Sequence, residues 1–370
     1  MLIALDFFLA LIVGIFLVRL GRRARPELQP AWRAIEIAAL FCFLVDWGLL
    51  AALPILQRSY GQVGPSLLLI SGLRWIFFIP AFFLLQRKPL KLHAITALAV
   101  IVFLQAALFA FELDGFYIEP FRLTVTDLPV HAPAFLLNRP LRILQISDLH
   151  VERITQRERE MLAQTDSLHP DIIVLTGDYT NSSYTNNPLT LQETRQILSQ
   201  LHAPYGVLAV NGNVDSPATM STLFDGLANI RVLNNEILPL SLPGGTIYFI
   251  GVTMGRSSGP DEQVLKNLLN SLPTNTYSIL LYHTSEIIGT AATGGVDLYL
   301  SGHTHGGQVR LPLYGALFTD TAFGKKYEMG PYNIRSTTLY VSRGIGLAGG
   351  LLPRIRFLCP PELTMFELGK

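Results

Sequence analysis

Leu141-Arg142-Ile143-Leu144-Gln145-Ile146-Ser147-Asp148-Leu149-His150 is an apolar run that stops on an aspartate and, two residues later, a histidine. A short run that is apolar almost throughout reads as a strand buried on both faces. Four further runs end in the same manner. Ile172 to Thr176 leads into Gly177-Asp178, and Gly206 to Val210 into Asn211-Gly212-Asn213. Ser278 to Tyr282 leads into His283, and Asp297 to Leu300 into Ser301-Gly302-His303. Thr246 to Val252, Thr337 to Val341 and Leu363 to Phe366 read as additional strands. Gln156 to Leu168, Leu189 to Leu201, Pro217 to Leu227 and Glu262 to Leu272 read as helices. That order predicts a layered α/β domain with sheets in the middle.

In sheets of this kind ligands gather at the carboxyl ends of strands, so these endings can converge on one pocket. Asp148 with His150, and His303 with His305, are spaced so that both members of a pair can face the same side of an extended segment. Each residue alone has an ordinary reading. An aspartate after a strand is commonly a turn residue or helix cap, a lone His283 a buried imidazole, and Asn213 after Gly212 a turn. The joint occurrence, with the glycine-rich segment from Gly302 to Gln308, predicts a site that grips two divalent ions from several strands. Carboxylate and imidazole ligands suit Mn, Fe or Zn and fit Mg poorly.

With 370 residues, 50% of them hydrophobic, 15% charged and a mean hydropathy of +0.38, the chain is too apolar for an ordinary soluble protein. Four stretches, Leu2 to Leu20, Ile35 to Leu56, Ser66 to Leu85 and Leu92 to Phe111, approach the roughly 20 residues that cross a bilayer as a helix. The expected organisation is a four-helix membrane anchor over 1–115, a linker over 116–140 and a globular domain over 141–370. The first stretch lacks a basic start and a small-residue cleavage site, so it reads as a retained span. Arg19, Arg22, Arg23, Arg25 and Arg33 crowd the first connection and Arg87, Lys88 and Lys91 the third, while the second holds Arg58. By the positive-inside rule the first and third connections are cytoplasmic, which puts the globular domain of this multi-pass protein on the extracytoplasmic face. Asp46 and Arg74 lie inside spans and read either as a structural interhelical pair or as a relay. The net charge of +1 gives no reason to expect a nucleic-acid partner. Cys42 and Cys359 provide no disulfide framework.

The motifs resemble the calcineurin-like metallophosphoesterase family. Its pattern is Asp-x-His, Gly-Asp, Gly-Asn-His-Asp/Glu, a histidine, and Gly-His-x-His. Here these stand as Asp148-Leu149-His150, Gly177-Asp178, Gly212-Asn213-Val214-Asp215, His283 and Gly302-His303-Thr304-His305. The segment from Gly302 to Pro312, with Ser342-Arg343-Gly344-Ile345-Gly346 and Cys359-Pro360-Pro361-Glu362, looks like a membrane-associated subgroup that includes pyrophosphatases of UDP-2,3-diacylglucosamine. The resemblance implies a four-layer αββα sandwich. It implies one metal on Asp148, His150, Asp178 and His305, and another on Asp178, Asn213, His283 and His303, with Asp178 bridging. It further implies hydrolysis of a phosphodiester or pyrophosphate by a hydroxide shared between the ions, and the anchor makes a lipid-linked envelope substrate the expected partner. One departure stands out: the family usually has histidine after Gly-Asn, where this chain has Val214. Valine can neither protonate a leaving oxygen nor steady the transition state. Either Asp215 or His150 takes over, joining Asp178 and Asn213 in the catalytic set, or the leaving group needs little protonation. The rival expectation is a membrane sensor or scaffold that keeps metal and phosphate binding with reduced turnover.

Overall fold

The computed structural model describes residue 19 and residues 29–85, 92–132, 139–242, 245–350 and 353–369. The expected first span lies outside the described residues except for Arg19. So do Arg22, Arg23, Arg25, Arg87, Lys88 and Lys91. The chain divides into two compact units, Met1–Tyr117 with Gly350–Arg354, and Ile118–Gly349 with Ile355–Lys370.

The first unit contains α1 (Gln29–Ile55), α2 (Gly64–Leu85) and α3 (Leu92–Leu113). All three are long and apolar enough to cross a membrane. Their exposed faces carry Ile37, Phe41, Ile76, Val102 and Phe103. Asp46, Arg74 and Glu112 are buried among the helices. Arg74 of α2 donates from Nε and Nη2 to the two carboxylate oxygens of Asp46 in α1, each at 2.6 Å. It also donates to Gln105 Oε1 at 2.9 Å and Glu112 Oε2 at 3.2 Å, both in α3. Apolar outside and polar inside is the reverse of a water-soluble bundle, and it suits a hydrocarbon surround in which an unpaired charge is costly. Asp46 and Arg74 are therefore an interhelical ion pair. Gln105 and Glu112 tie the third helix to it.

The second unit holds two six-stranded sheets. The first comprises β1 (Thr124–His131), β2 (Leu141–Ile146), β3 (Ile172–Leu175), β4 (Val207–Ala209), β5 (Ile230–Val232) and β14 (Glu362–Gly369), in the order β1-β14-β2-β3-β4-β5. The other comprises β6 (Glu236–Leu242), β7 (Gly245–Gly251), β8 (Tyr277–Leu281), β9 (Leu298–Ser301), β12 (Gly330–Ile334) and β13 (Thr337–Val341), in the order β12-β13-β9-β8-β7-β6. Both are mixed. β2 to β5 run parallel with β14 antiparallel to β2, while β13, β9, β8 and β7 run parallel between antiparallel β12 and β6. A small hairpin, β10 (Arg310–Leu311) with β11 (Gly315–Ala316), stands apart.

Alternate residues of each central strand serve different cores, which is why the strands are apolar throughout. Ile143, Ile172, Val174 and Leu208 meet Ile247, Phe249, Ile279 and Leu298 between the sheets. On the outer face of the first sheet, Leu144, Ile173 and Leu175 pack with Met161, Ile197 and Leu223. These come from α4 (Gln156–Leu168), α5 (Pro188–Ser199) and α6 (Pro217–Phe224). On the outer face of the second, Ile250, Leu280 and Tyr299 pack with Leu265 of α7 (Ser258–Leu269) and Ala291 of α8 (Ile288–Thr293). The layers are α, β, β, α, as expected. Thr155 starts α4 in a capping box with Glu158. Within the segment read from sequence as a linker, Thr124–His131 forms β1, paired in parallel with β14.

Candidate metal centre

Each strand ending places its polar residue through local backbone geometry. Beyond β2 and β3 the chains stay paired, with Asp148 N–H donating to Gly177 O and His150 N–H to Asp178 O, both at 3.0 Å. Asp148 and Asp178 therefore leave neighbouring strands side by side. Asp148, His150, Asp178, His303 and His305 all have positive φ, between 39° and 72°. For residues other than glycine this left-handed conformation costs on the order of 1–2 kcal/mol each. Strain gathered on five polar residues at strand ends marks a functional site. The glycines of the motifs are where carboxylates come close. A Cβ on Gly212 would sit 2.1 Å from Asp178 Oδ1, and one on Gly302 2.1 Å from Asp148 Oδ2.

Two triads result. Asp148, His150 and His305 offer ligand atoms all within 4.8 Å of one another, and Asp178, His283 and His303 do the same. Asp178 Oδ2 lies between them, 3.3 Å from both His150 Nε2 and His283 Nε2. Its Oδ1 accepts the Val214 N–H at 3.1 Å. Asn213 Oδ1 joins the second triad, 3.0 Å from His283 Nε2 and 2.9 Å from His303 Nδ1. All seven residues singled out as ligands thus lie in one cluster.

Groups behind the ligands fix which ring nitrogen faces the centre. His283 Nδ1–H donates to Thr176 O at 2.7 Å, and His303 Nε2–H to Asp320 O at 2.6 Å. Only a protonated nitrogen can donate to a carbonyl, so the other nitrogen of each ring is turned toward Asn213. Ser147 Oγ donates to Asp148 Oδ2 at 2.5 Å. Arg356, fully buried, donates to the carbonyls of Arg343, Gly344, Gly346 and Cys359. This draws the Ser342 to Gly346 and Cys359 to Glu362 motifs beneath the Asp148 loop, where Gly346 N–H donates to Asp148 O at 2.7 Å. Sequence reasoning missed Thr176, Asp320 and Arg356. Two of them act through main-chain carbonyls that every residue possesses, and Arg356 looks like any surface arginine until its burial is seen.

The electrostatics follow from burial and proximity. Burial opposes a charge on His283, but the carboxylates of Asp178 and Asp148 hold its proton to about 10. His305 shifts well down because it is buried and faces His150 and Arg356, which favours the neutral imidazole that a cation needs. Burial disfavours the Asp178 carboxylate, yet His283 and His150 keep it ionised well below the usual range. Asp215 is raised to about 6 by burial and by Asp178. Its oxygens accept the N–H groups of Asp178 at 2.7 Å, Gly212 at 2.8 Å and Tyr179 at 3.1 Å.

The residues fit a divalent-metal centre. The donor set is carboxylate, imidazole and one amide oxygen. Both ring nitrogens of buried His150 also make no hydrogen bond among the described residues, and a coordinated cation would use the lone pair of the one that faces Asp178. Beside Asn213 and Val214 opens a cleft of about 740 Å³, bordered by Met220, Phe224 and Met254 on its apolar side and by Arg256.

Residues 141–307 match the family model described as calcineurin-like phosphoesterase. An uncharacterized metallophosphoesterase, YkuE of Bacillus subtilis, is 33% identical over 262 residues, which cover 68% of this chain and 87% of the relative. The phosphodiesterase YaeI of Escherichia coli is 29% identical, over 65% of this chain and 88% of its own length. The UDP-2,3-diacylglucosamine pyrophosphatase LpxG of Chlamydia trachomatis is 27% identical, over 68% of this chain and 91% of its own.

Proposed function

The chain belongs to the calcineurin-like phosphoesterase family, and from that membership we propose a membrane-anchored binuclear hydrolase that cleaves a phosphodiester or pyrophosphate bond in a lipid-linked substrate. The observation that carries the proposal is the pair of adjoining triads with Asp178 Oδ2 between them. Asp148, His150, Asp178 and His305 would hold one cation, and Asp178, Asn213, His283 and His303 the other. Mn, Fe or Zn suit these donors. Cations so held would polarise phosphoryl oxygens and activate water for in-line attack.

The chain's own residues do the rest. Val214 anchors one oxygen of Asp178 with its N–H, which leaves the other oxygen to serve both cations. Asp215 is better read as a positioning residue than as a replacement acid. Its oxygens accept three backbone N–H groups and so brace the Gly-Asp loop against the Gly-Asn loop. His150 enters as a ligand. With no imidazole at position 214, the substrate should be one whose leaving group departs as a stable anion, a phosphate or an aryl oxide. The cleft beyond Asn213 suits an amphiphile, with Met220, Phe224 and Met254 against apolar parts and Arg256 against an anionic group. The activities of YaeI and LpxG, a phosphodiesterase and a lipid-nucleotide pyrophosphatase, support these bond types. The anchor is read as four spans with the catalytic unit, beginning near Ile118, on the extracytoplasmic side. Val214 is the feature favouring the rival reading, a metal-binding sensor with reduced turnover.

The test is an assay of the purified full chain with Mn against phosphomonoesters, phosphodiesters and nucleotide-lipid pyrophosphates. Chelator-sensitive turnover of diesters or pyrophosphates is expected. Tight metal binding with no turnover on any class would establish the sensor instead.

A further inference from the structure

Among the described residues of the second unit, the most exposed apolar side chains lie on the hairpin β10–β11 and just after it. Leu313 at its tip is fully exposed, and Leu311, Tyr314, Leu317 and Phe318 lie open beside it, with Phe318 at 60%. Leu313 also has φ 64°. A turn position of that kind favours glycine or asparagine, because a leucine there pays steric strain. The leucine gains neither packing nor good turn geometry from its own fold. Five exposed apolar side chains within residues 311–318 of a folded domain mark a place of interaction.

What surrounds the tip indicates the partner. Lys325 Nζ sits 3.4 Å above the Tyr314 ring, donates to the Tyr314 carbonyl and pairs with Glu328 Oε1 at 3.6 Å, so it braces the hairpin. Lys326 is exposed alongside, near the rings of Phe323 and Tyr327. Apolar side chains at the tip, with an aromatic and the exposed Lys326 behind them, match the order of a bilayer surface: acyl chains, interface, then anionic headgroups. The same chain also contains three helices built for a bilayer. We propose that the β10–β11 hairpin is an interfacial lipid-contact element that inserts Leu313 and its apolar neighbours below the headgroups of a membrane containing anionic phospholipid.

The root of the hairpin lies against the candidate metal centre. A Cβ on Gly307, two residues past His305, would meet Ala316 Cβ at 2.4 Å and Phe318 O at 2.7 Å. Asp320, just beyond the hairpin, orients His303 through its carbonyl. An inserted tip therefore holds the centre close to the lipid surface, where a phosphate in a headgroup is within reach. The insertion itself does not depend on hydrolysis, so its test needs no activity.

The full chain, with Cys42→Ser to remove the accessible thiol and Cys359 left buried, is labelled with an environment-sensitive fluorophore at Leu313→Cys. A second preparation carries the label at Leu317→Cys, and a control at exposed Ser199→Cys in α5. Each is placed in nanodiscs of phosphatidylcholine and phosphatidylglycerol, with and without doxyl-labelled acyl chains. Blue-shifted emission with loss of intensity to the doxyl lipid at positions 313 and 317, and neither change at 199, is the expected result. Water-like emission at both hairpin positions, or doxyl quenching equal to that at 199, overturns the proposal. A spectral shift that instead follows protein concentration in lipid-free detergent also overturns it, and assigns the patch to a second copy of the chain.

Discussion

At Asp178 the two carboxylate oxygens have separate tasks, one accepting the Val214 N–H and the other lying 3.3 Å from an imidazole of each triad. An amide keeps the shape but removes the charge and one acceptor. Asp178→Asn should therefore lose nearly all turnover and at least one metal per chain; full occupancy by elemental analysis together with wild-type rates would refute the bridging role. Asp215 lies one step further back. As a brace behind ligands, Asp215→Asn should lower metal affinity or activity by about 10–100-fold, with the same factor for good and poor leaving groups. A deficit that grows with leaving-group basicity would make Asp215 the general acid after all. Val214 carries the complementary prediction. A general acid contributes about 10²–10⁴-fold when the leaving oxygen is strongly basic, so Val214→His should raise kcat/KM for an alkyl diester more than for a pyrophosphate. Equal gains would argue for an acid already in the pocket. Asp148, His150 and Asp178 were legible only together with Asn213, His283 and His303, because one polar strand ending reads as a turn or cap while five in one chain do not. The brace formed by Asp215 was not, because its partners are backbone N–H groups that no sequence displays.

The strands that were legible are the central ones, where both faces are buried and the text is continuously apolar. β1 was hidden by its position at an edge. Val125, Asp127, Pro129 and His131 face solvent, and a proline inside a run argues against a ladder strand unless the strand lies at an edge, as this one does. Its partner β14 lies at the other end of the chain, so no local signal announces the pairing. β12 opens on Gly330-Pro331 and is likewise an edge strand that reads as a turn. The elements are joined near the site by Glu362 of β14. It accepts from Thr126 Oγ1 of β1 at 2.5 Å, Tyr340 Oη of β13 at 2.9 Å and Arg343 Nη2 at 2.9 Å. Both sheets thus share one buried carboxylate. Glu362→Ala should cost on the order of 3 kcal/mol, since it strands a largely buried arginine and a tyrosine hydroxyl. Chemical denaturation of the full chain in detergent would measure this, and an unchanged midpoint would show that water replaces the carboxylate.

For the molecule as a whole, the sequence pattern that separates an apolar first part from a glycine-punctuated second part corresponds to a reversal of polarity between the two units. In the first unit the charges of Asp46, Arg74 and Glu112 are turned inward, and in the second the apolar residues are. The basic first and third connections predict an extracytoplasmic catalytic unit. Alkaline phosphatase fused after Lys370 should therefore be active in a bacterial host, whereas an inactive phosphatase beside a fluorescent cytoplasmic fusion at the same point would reverse the topology. The central claim, hydrolysis by a two-cation centre built on these triads, is open to one direct measurement. Chelator-stripped full-length protein is titrated with Mn while metal content and turnover of an aryl phosphodiester are read on the same samples. Turnover should be absent from the stripped protein and saturate at about two metals per chain. Turnover that survives stripping, or that is complete at a single metal per chain, would contradict the claim.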